Sequence, residues 1–257
     1  MDSSEDKYNS LGILIPSRER PDSLKRVLYE LANSDNSDLL EVIVASDNCP
    51  ETFRIIKEFP LQEKFLKYKP LITRRRFYTI KTINFCLENC ESFLFAWCAD
   101  DMVIDRKDWI GFSISRFRDL FPDNVGLMSL TSPGPASGLT SKEFIEYNDG
   151  EGYHNGYMVH YADMEVGVRA VLMGRYCKLG VVRFLRHKGG KDDIPPVGSG
   201  KLWGLKLSDK RLYEKRKEMR FYLDPNKIVH PNAEEIFKLL EKGIFDWPSE
   251  INIPFKV

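Results

Sequence analysis

The sequence predicts an α/β fold: a mainly parallel sheet flanked by helices, with a small helical extension at the C-terminus. Three observations lead there. Between residues 11 and 130, apolar runs of strand length alternate with longer segments of helical periodicity. Those runs are apolar throughout instead of at every second position, as strands covered on both faces are. The connections are too long for hairpins, so consecutive strands run parallel.

The first strand is "LGILIP" (11–16), a buried run ended by proline. After "SRERPDS", the stretch "LKRVLYELA" sets Leu24, Val27, Leu28 and Leu31 at i, i+3, i+4 and i+7. That is one face of a helix whose start signals are Pro21, Asp22 and Ser23. "EVIVAS" (41–46) is the second strand and "ETFRIIKEF" the second helix. "YKPLIT" is the third strand, and "YTIKTINFCLEN" puts Ile80, Ile83 and Leu87 on one helical side. "FLFAWC" is a strand that runs into Asp100 and Asp101. "DWIGFSISRFRDLF" is a helix with Asp108 near its start, and "VGLMSL" (125–130) is another strand. The alternation breaks after Leu130, where "TSPGPASGLTSKEF" is rich in Pro, Gly and Ser and order is weakly signalled until about Tyr161. "ADMEVGVRAVLMG" resumes as a helix and "YCKLGVVRFL" as a strand, and "KGGKDDIPPVGSGK" reads as a mobile loop. "SDKRLYEKRKEMRFYL" and "PNAEEIFKLLEKG" are charged tail helices. The expected division is one domain over 1–205, in halves of about 11–130 and 131–205, and a helical extension over 206–257.

Composition narrows the class. With 257 residues, 42% hydrophobic and 30% charged, the chain can bury a proper core and is not a disordered polypeptide. Five cysteines without paired spacing fit a reducing compartment. Cys86 and Cys90 lie four apart on a helix, and are read as buried thiols because no second Cys/His pair has a matching spacing. No apolar run reaches membrane-spanning length and "MDSSEDKYNS" is unlike a secretory signal. The expectation is a cytoplasmic protein (host cytoplasm if it is viral) with no membrane partner. The net charge is zero, yet residues 166–220 hold 15 Lys/Arg against 5 Asp/Glu, while residues 1–165 hold 19 against 27. So uneven a distribution points to an anionic partner or a charge-matched internal surface.

In an open parallel sheet, ligands sit beyond the carboxyl ends of the strands, near the switch in strand order. The polar groups that end the strands are "SRER" (17–20), "SDNC" (46–49), "TRRR" (73–76) and "ADD" (99–101). Arginines suit a diphosphate through forked hydrogen bonds, and a carboxylate accepts from a base N–H or a ribose hydroxyl. Two adjacent carboxylates after an apolar strand repel each other. A divalent cation held with phosphates would compensate them.

In these stretches the sequence resembles the GT-A glycosyltransferases, most closely the inverting family 2. "ILIPSRERPDSLKRVLYEL" is similar to that family's opening strand, nucleotide-contacting turn and first helix. "EVIVASDNC" resembles its second strand, "FAWCADDMV" the strand with its DxD metal motif in a variant with adjacent aspartates, "ADMEVGVRAVLMG" the helix bearing the catalytic base, and "VVRFLRHKGG" the closing strand whose histidine completes the metal site. The resemblance covers roughly residues 11–190. It departs from the family pattern at Ser46-Asp47, where paired aspartates are usual, at Ala162, where an acid precedes the base, and at "YTIKTIN", which replaces a small-residue stretch.

The resemblance implies a GT-A (Rossmann-like) fold and a glycosyltransferase that moves a sugar from a nucleotide-sugar donor, a UDP-sugar first, to an acceptor hydroxyl with inversion. Mn2+ or Mg2+ would be the cofactor. Pro16, Ser17, Arg18, Glu19, Asp47, Arg74, Arg75, Arg76 and Asp100 would hold the donor, Asp101 and His187 the metal, and Asp163 would be the base, with Glu165 as its rival. His154, Tyr157, His160 and Glu165 are the acceptor-side candidates, and the 188–201 loop would close over the donor. The basic stretch makes a hydroxylated base in DNA, as phage enzymes modify, the leading acceptor, with polysaccharide or protein as alternatives. Two readings stand for several residues: Asp163 as base or helix cap, His187 as ligand or part of an exposed basic loop, the arginine run as anion contact or solvated surface. A nucleotidyltransferase and a non-catalytic nucleic-acid-binding protein are the rival classes.

Overall fold

The computed structural model describes residues 9–131, 137–150, 152–178, 185–187, 199–243 and 247, with the backbone alone for 185–187 and 199–203. A seven-stranded sheet has the order β3-β2-β1-β4-β7-β6-β8. Its strands are β1 (Leu11–Ser17), β2 (Leu40–Ser46), β3 (Lys67–Ile72), β4 (Leu94–Trp97), β6 (Leu127–Ser129), β7 (Gly138–Ser141) and β8 (Tyr176–Lys178). β3, β2, β1 and β4 are parallel, β7 runs against both β4 and β6, and β6 and β8 are parallel. A separate antiparallel pair joins β5 (Met102–Ile104) to β9 (Leu185–His187).

The continuous apolar runs find apolar cover on both faces. Leu11, Ile13 and Ile15 of β1 join one core with Leu24, Val27, Leu28 and Leu31 of α1 (Pro21–Ala32) and with Trp109, Ile110 and Phe117 of α4 (Trp109–Leu120). Leu14 faces the other core, with Ile80 and Ile83 of α3 (Tyr78–Glu88) and Val166, Val168 and Ala170 of α6 (Ala162–Leu172). Alternation with period two divides one apolar strand between two cores. The second helix, α2 (Pro50–Lys57), follows β2, as expected. All five cysteines are free and buried, and burial pushes the Cys90 thiol up to about 12.

Three expectations need correction. The Pro/Gly/Ser-rich segment after Leu130 contains β7, followed by α5 (Lys142–Tyr147). β7 is four residues without an apolar pattern and exists by pairing with β4 and β6. A Cβ on Gly138 would lie 2.7 Å from Leu127 and 3.1 Å from Trp97, so glycine permits the close approach. The strand expected over 176–185 is two strands in two sheets, β8 and β9. The boundary expected at 205/206 falls inside α7 (Ser199–Glu218). With α8 (Ala233–Glu241), the C-terminal residues Tyr213, Phe221, Leu223, Ile236, Phe237 and Leu240 complete the second core instead of forming an appendage.

Candidate functional site

β1 has β2 on one side and β4 on the other, so the chain order reverses between β1 and β4, and a crevice opens at their carboxyl ends. A cleft of about 300 Å³ lies there, lined by Pro16, Ser17, Arg18, Glu19, Asp47, Arg76, Asp100 and Asp101 from the sequence expectations. Arg20, Tyr78, Thr79, Thr82, Ala99 and Val159 line it as well. Arg74 and Arg75 are exposed and outside the lining, and Arg75 lies over the Phe77 ring at 5.9 Å.

The paired aspartates meet the turn after β1. Ser17 Oγ donates to Asp100 Oδ2 at 2.8 Å, and Arg20 Nη1 lies 3.2 Å from Asp100 Oδ1 and 3.1 Å from Asp101 Oδ2. Burial pushes the Asp100 carboxyl up to about 6, against the pull of Arg20 and Ser17, and the neighbouring Asp101 charge pushes the same way as burial. Arg20 is the residue of "SRER" that the family resemblance does not single out. Its pairing with residues 80 and 81 positions away had no sequence signal.

Asp47 is buried and holds the start of α3. Its carboxylate accepts from the backbone N–H of Phe77 at 2.6 Å and of Tyr78 at 3.0 Å, and from Thr73 Oγ1 at 3.3 Å. It caps that helix from another strand, where the helix supplies no side-chain cap of its own. Arg18 Nη1 donates to the Asp47 and Asn48 carbonyls at 2.6 and 3.0 Å, and its buried Nε has no hydrogen-bond partner among the described residues. Glu19, Asn48 and Tyr78 all adopt positive φ, at 57°, 50° and 63°. Left-handed backbone costs a non-glycine residue roughly 1–2 kcal/mol, and strained turns of this kind collect at ligand sites.

Asp163 occupies the first turn of α6, four residues after Val159. The helix N-cap is Tyr161, at φ 69° and with no side-chain cap bond. Burial first, then the Asp163 charge, raises the Tyr153 hydroxyl well above its usual value. Tyr153 in turn stacks on Trp97 of β4 at 4.5 Å. Glu165 is buried on the other side of α6, where it accepts from Arg216 at 2.6–3.0 Å and from the Tyr157 hydroxyl at 2.7 Å. Glu165 and Tyr157, read as acceptor-side candidates, are therefore joined in an interior network that ties α6 to α7. His154 packs edge-on against Tyr157 at 5.8 Å, and His160 is exposed beside Tyr161.

Asp209 of α7 is a further residue the sequence did not mark. Its buried carboxylate accepts from the backbone N–H of Met158, Val159 and His160 at 3.0, 2.8 and 2.9 Å. Ile80 N–H donates to the Met158 carbonyl at 3.1 Å, so α3 and α7 together hold the segment between the cleft and Asp163.

A hard divalent ion fits the aspartate pair. Both are oxygen ligands, one nearly buried and destabilised as an anion, in a cleft that also presents arginines for phosphate. Among the described residues no cluster of three His, Cys, Asp or Glu forms. The His187 backbone pairs with Met102, next to Asp101, while its side chain lies outside the described residues, as does the 188–198 part of the expected closing loop.

The fold recurs in solved structures. S. aureus TarS superposes with a TM-score of 0.58 at 14% identity, over 72% of this chain and 37% of that one. TarS 1–349 in complex with UDP-GlcNAc gives 0.55 at 16% identity, over 70% and 60%. The mannosyltransferase PcManGT from Pyrobaculum calidifontis, in complex with GDP-Man and Mn2+, gives 0.55 at 13% identity, over 91% and 71%. The chain has the GT-A glycosyltransferase fold. It spans between 37% and 60% of the length of the TarS structures it matches. Its sequence matches no protein-family model and no curated protein. Within the GT-A fold, β1 to β4 carry the cleft, and β7, β6 and β8 carry the sheet onward to its far edge.

Proposed function

We propose that this protein is a glycosyltransferase that transfers a sugar from a nucleoside-diphosphate sugar to an acceptor hydroxyl with inversion. The observation that carries this reading is the cleft at the β1/β4 switch point, where Asp100 and Asp101 face the Ser17–Arg20 turn and an unmet Arg18 donor. The UDP-GlcNAc and GDP-Man complexes of proteins with the same fold support the donor class. Ser17, Arg18 and Arg76 hold the nucleotide and diphosphate, within a cleft braced by Asp47. Asp101, with Asp100 and His187, would hold Mn2+ or Mg2+, which when bound stabilises charge on the departing diphosphate. Asp163 takes the proton of the acceptor hydroxyl as it attacks the anomeric carbon from the face opposite the leaving group.

Among acceptors, a hydroxyl-bearing polyanion is the case to test first, with DNA containing a hydroxymethylated base as the probe. Half-buried and buried members of the basic stretch form internal ion pairs, Arg169 with Asp149, Arg175 with Asp123 and Arg216 with Glu165. Lys206, Lys210, Arg211 and Lys215 of α7 are exposed and form no ion pair among the described residues. Exposed cations of this kind suit phosphate contacts, whose signature is a linear fall of log affinity with log salt.

The experiment has two stages. Thermal shift against UDP- and GDP-sugars, with and without Mn2+, is expected to show stabilisation by a sugar nucleotide that Mn2+ enlarges. Donor turnover is expected to stop in excess chelator and to fall by roughly two orders of magnitude or more in Asp101→Ala. Full turnover in chelator overturns the metal role, and neither binding nor hydrolysis of any sugar nucleotide overturns the reading. Plain and hydroxymethylated DNA are then digested to nucleosides for mass analysis. A donor-hydrolysing enzyme that leaves both unglycosylated acts on a saccharide or protein acceptor instead.

A further inference from the structure

The contact between Arg20 and the aspartate pair has a consequence for how a cation reaches the site. Arg20 stands at the N-cap of α1, and one atom, Nη1, lies within 3.2 Å of an oxygen from each carboxylate. The other Asp100 oxygen already accepts from Ser17. A divalent ion binding those two oxygens at roughly 2.1 Å from the side on which Nη1 stands would lie closer to Nη1 than a hydrogen bond, and two cations cannot share that position. The Arg20 side chain is 28% exposed and lines the cleft together with Arg18 and Arg76, so the guanidinium faces the space a diphosphate would enter. Its natural second partner is a diphosphate, whose oxygens match the guanidinium fork.

We propose that Arg20 is a two-position cation: it neutralises Asp100 and Asp101 in the free protein, and passes to the donor diphosphate when a divalent ion takes its place. Metal and nucleotide then bind with positive coupling, because each removes the obstacle to the other. Without nucleotide the ion must displace a paired arginine and leave it facing the ion's charge. With nucleotide the displaced guanidinium gains two phosphate partners. The second half of this exchange rests on the nucleotide-sugar reading, and the first half does not.

The test titrates Mn2+ alone into the full chain, following free Mn2+ by electron paramagnetic resonance, with and without UDP. Circular dichroism and thermal melting establish that each variant is folded. Without UDP, Arg20→Gln is expected to bind Mn2+ about tenfold tighter than wild type, since the competing charge is gone. Arg26→Gln is the control for net charge, because Arg26 donates to the Asp101 backbone carbonyl at 3.3 Å and lies outside the cleft lining. It is expected to shift the affinity less than about threefold. Arg20→Lys, which retains a cation, is expected to stay near wild type. UDP is expected to tighten Mn2+ binding in wild type by a factor that shrinks in Arg20→Gln. Equal Mn2+ affinity of wild type and Arg20→Gln without UDP overturns the proposal, as does an equal gain in Arg26→Gln. If the Mn2+ affinities differ as expected but UDP binds no variant, the competition for the aspartates stands and the diphosphate half falls with the donor reading.

Discussion

Asp163 and Glu165 stand two residues apart on α6 in opposite surroundings, one half-exposed and the other enclosed. Glu165 is locked by Arg216 and Tyr157, whereas Asp163 is half-exposed after the segment that reaches the cleft. Glu165→Gln leaves Arg216 without its counter-charge in a largely buried place, which costs on the order of 3–5 kcal/mol when one partner of such a pair is removed. The urea midpoint is expected to fall accordingly. Asp163→Asn is expected to keep stability within about 1 kcal/mol and donor binding near wild type, while transfer drops by roughly two orders of magnitude. A Glu165→Gln protein with a wild-type midpoint and no transfer would instead identify Glu165 as the base. The resemblance put both acids in view. Which of them is enclosed depends on Arg216, 51 positions away, and no local spacing reports that.

At the scale of elements, helices act on the site through single capping contacts. Asp47 of the β2 end caps α3, and Asp209 of α7 gathers three consecutive N–H groups of the segment that precedes α6. Asp209→Ala strands those donors in a half-buried place, and hydrogen bonds to a charged acceptor contribute roughly 1.5–3 kcal/mol each. The variant is expected to exchange the amide hydrogens of Met158, Val159 and His160 far faster than wild type, with a lower urea midpoint. Unchanged exchange at those three amides would show that α3 alone holds the segment. The helix itself was legible from "SDKRLYEKRKEMRFYL", although it starts at Ser199 and not near 208. Its role was not legible, because an aspartate between a serine and a lysine in a charged stretch reads as a solvated face until the fold buries it.

For the whole molecule, the C-terminal segment is part of the core. Tyr213, Phe221, Leu223, Ile236, Phe237 and Leu240 close the sheet face that carries α3 and α6. At about 1.5–3 kcal/mol per buried side chain, their loss removes on the order of 10 kcal/mol, comparable with the roughly 5–15 kcal/mol net stability of a domain. A chain ending at residue 205 is expected to lack cooperative thermal unfolding and a near-ultraviolet dichroism signal. A chain ending at residue 243 is expected to keep both. Cooperative unfolding of the shorter chain would restore the 205/206 boundary. The charge asymmetry of the sequence has two destinations at this scale. One part of the basic stretch is paired with acids of the same chain, and another, on α7, faces outward.

The sequence by itself determined the parallel strands and the edge where they end. Apolar runs and helical periodicity are local properties, and a parallel sheet brings the carboxyl ends of all its strands to one side. That is why Ser17, Arg18, Asp47, Arg76, Asp100 and Asp101, all within the stretches that end those strands, line one cleft. The tertiary structure decided which groups pair across it. β7 is a strand only because β4 and β6 accept it, and Asp47 caps a helix 30 positions away. Arg20 bridges two aspartates and Asp209 holds a distant loop. Each of these is a partnership between polar groups that burial makes obligatory, since an unpaired charge or N–H away from water is costly. Burial is a property of the assembled fold, so the partners emerge only when it has formed.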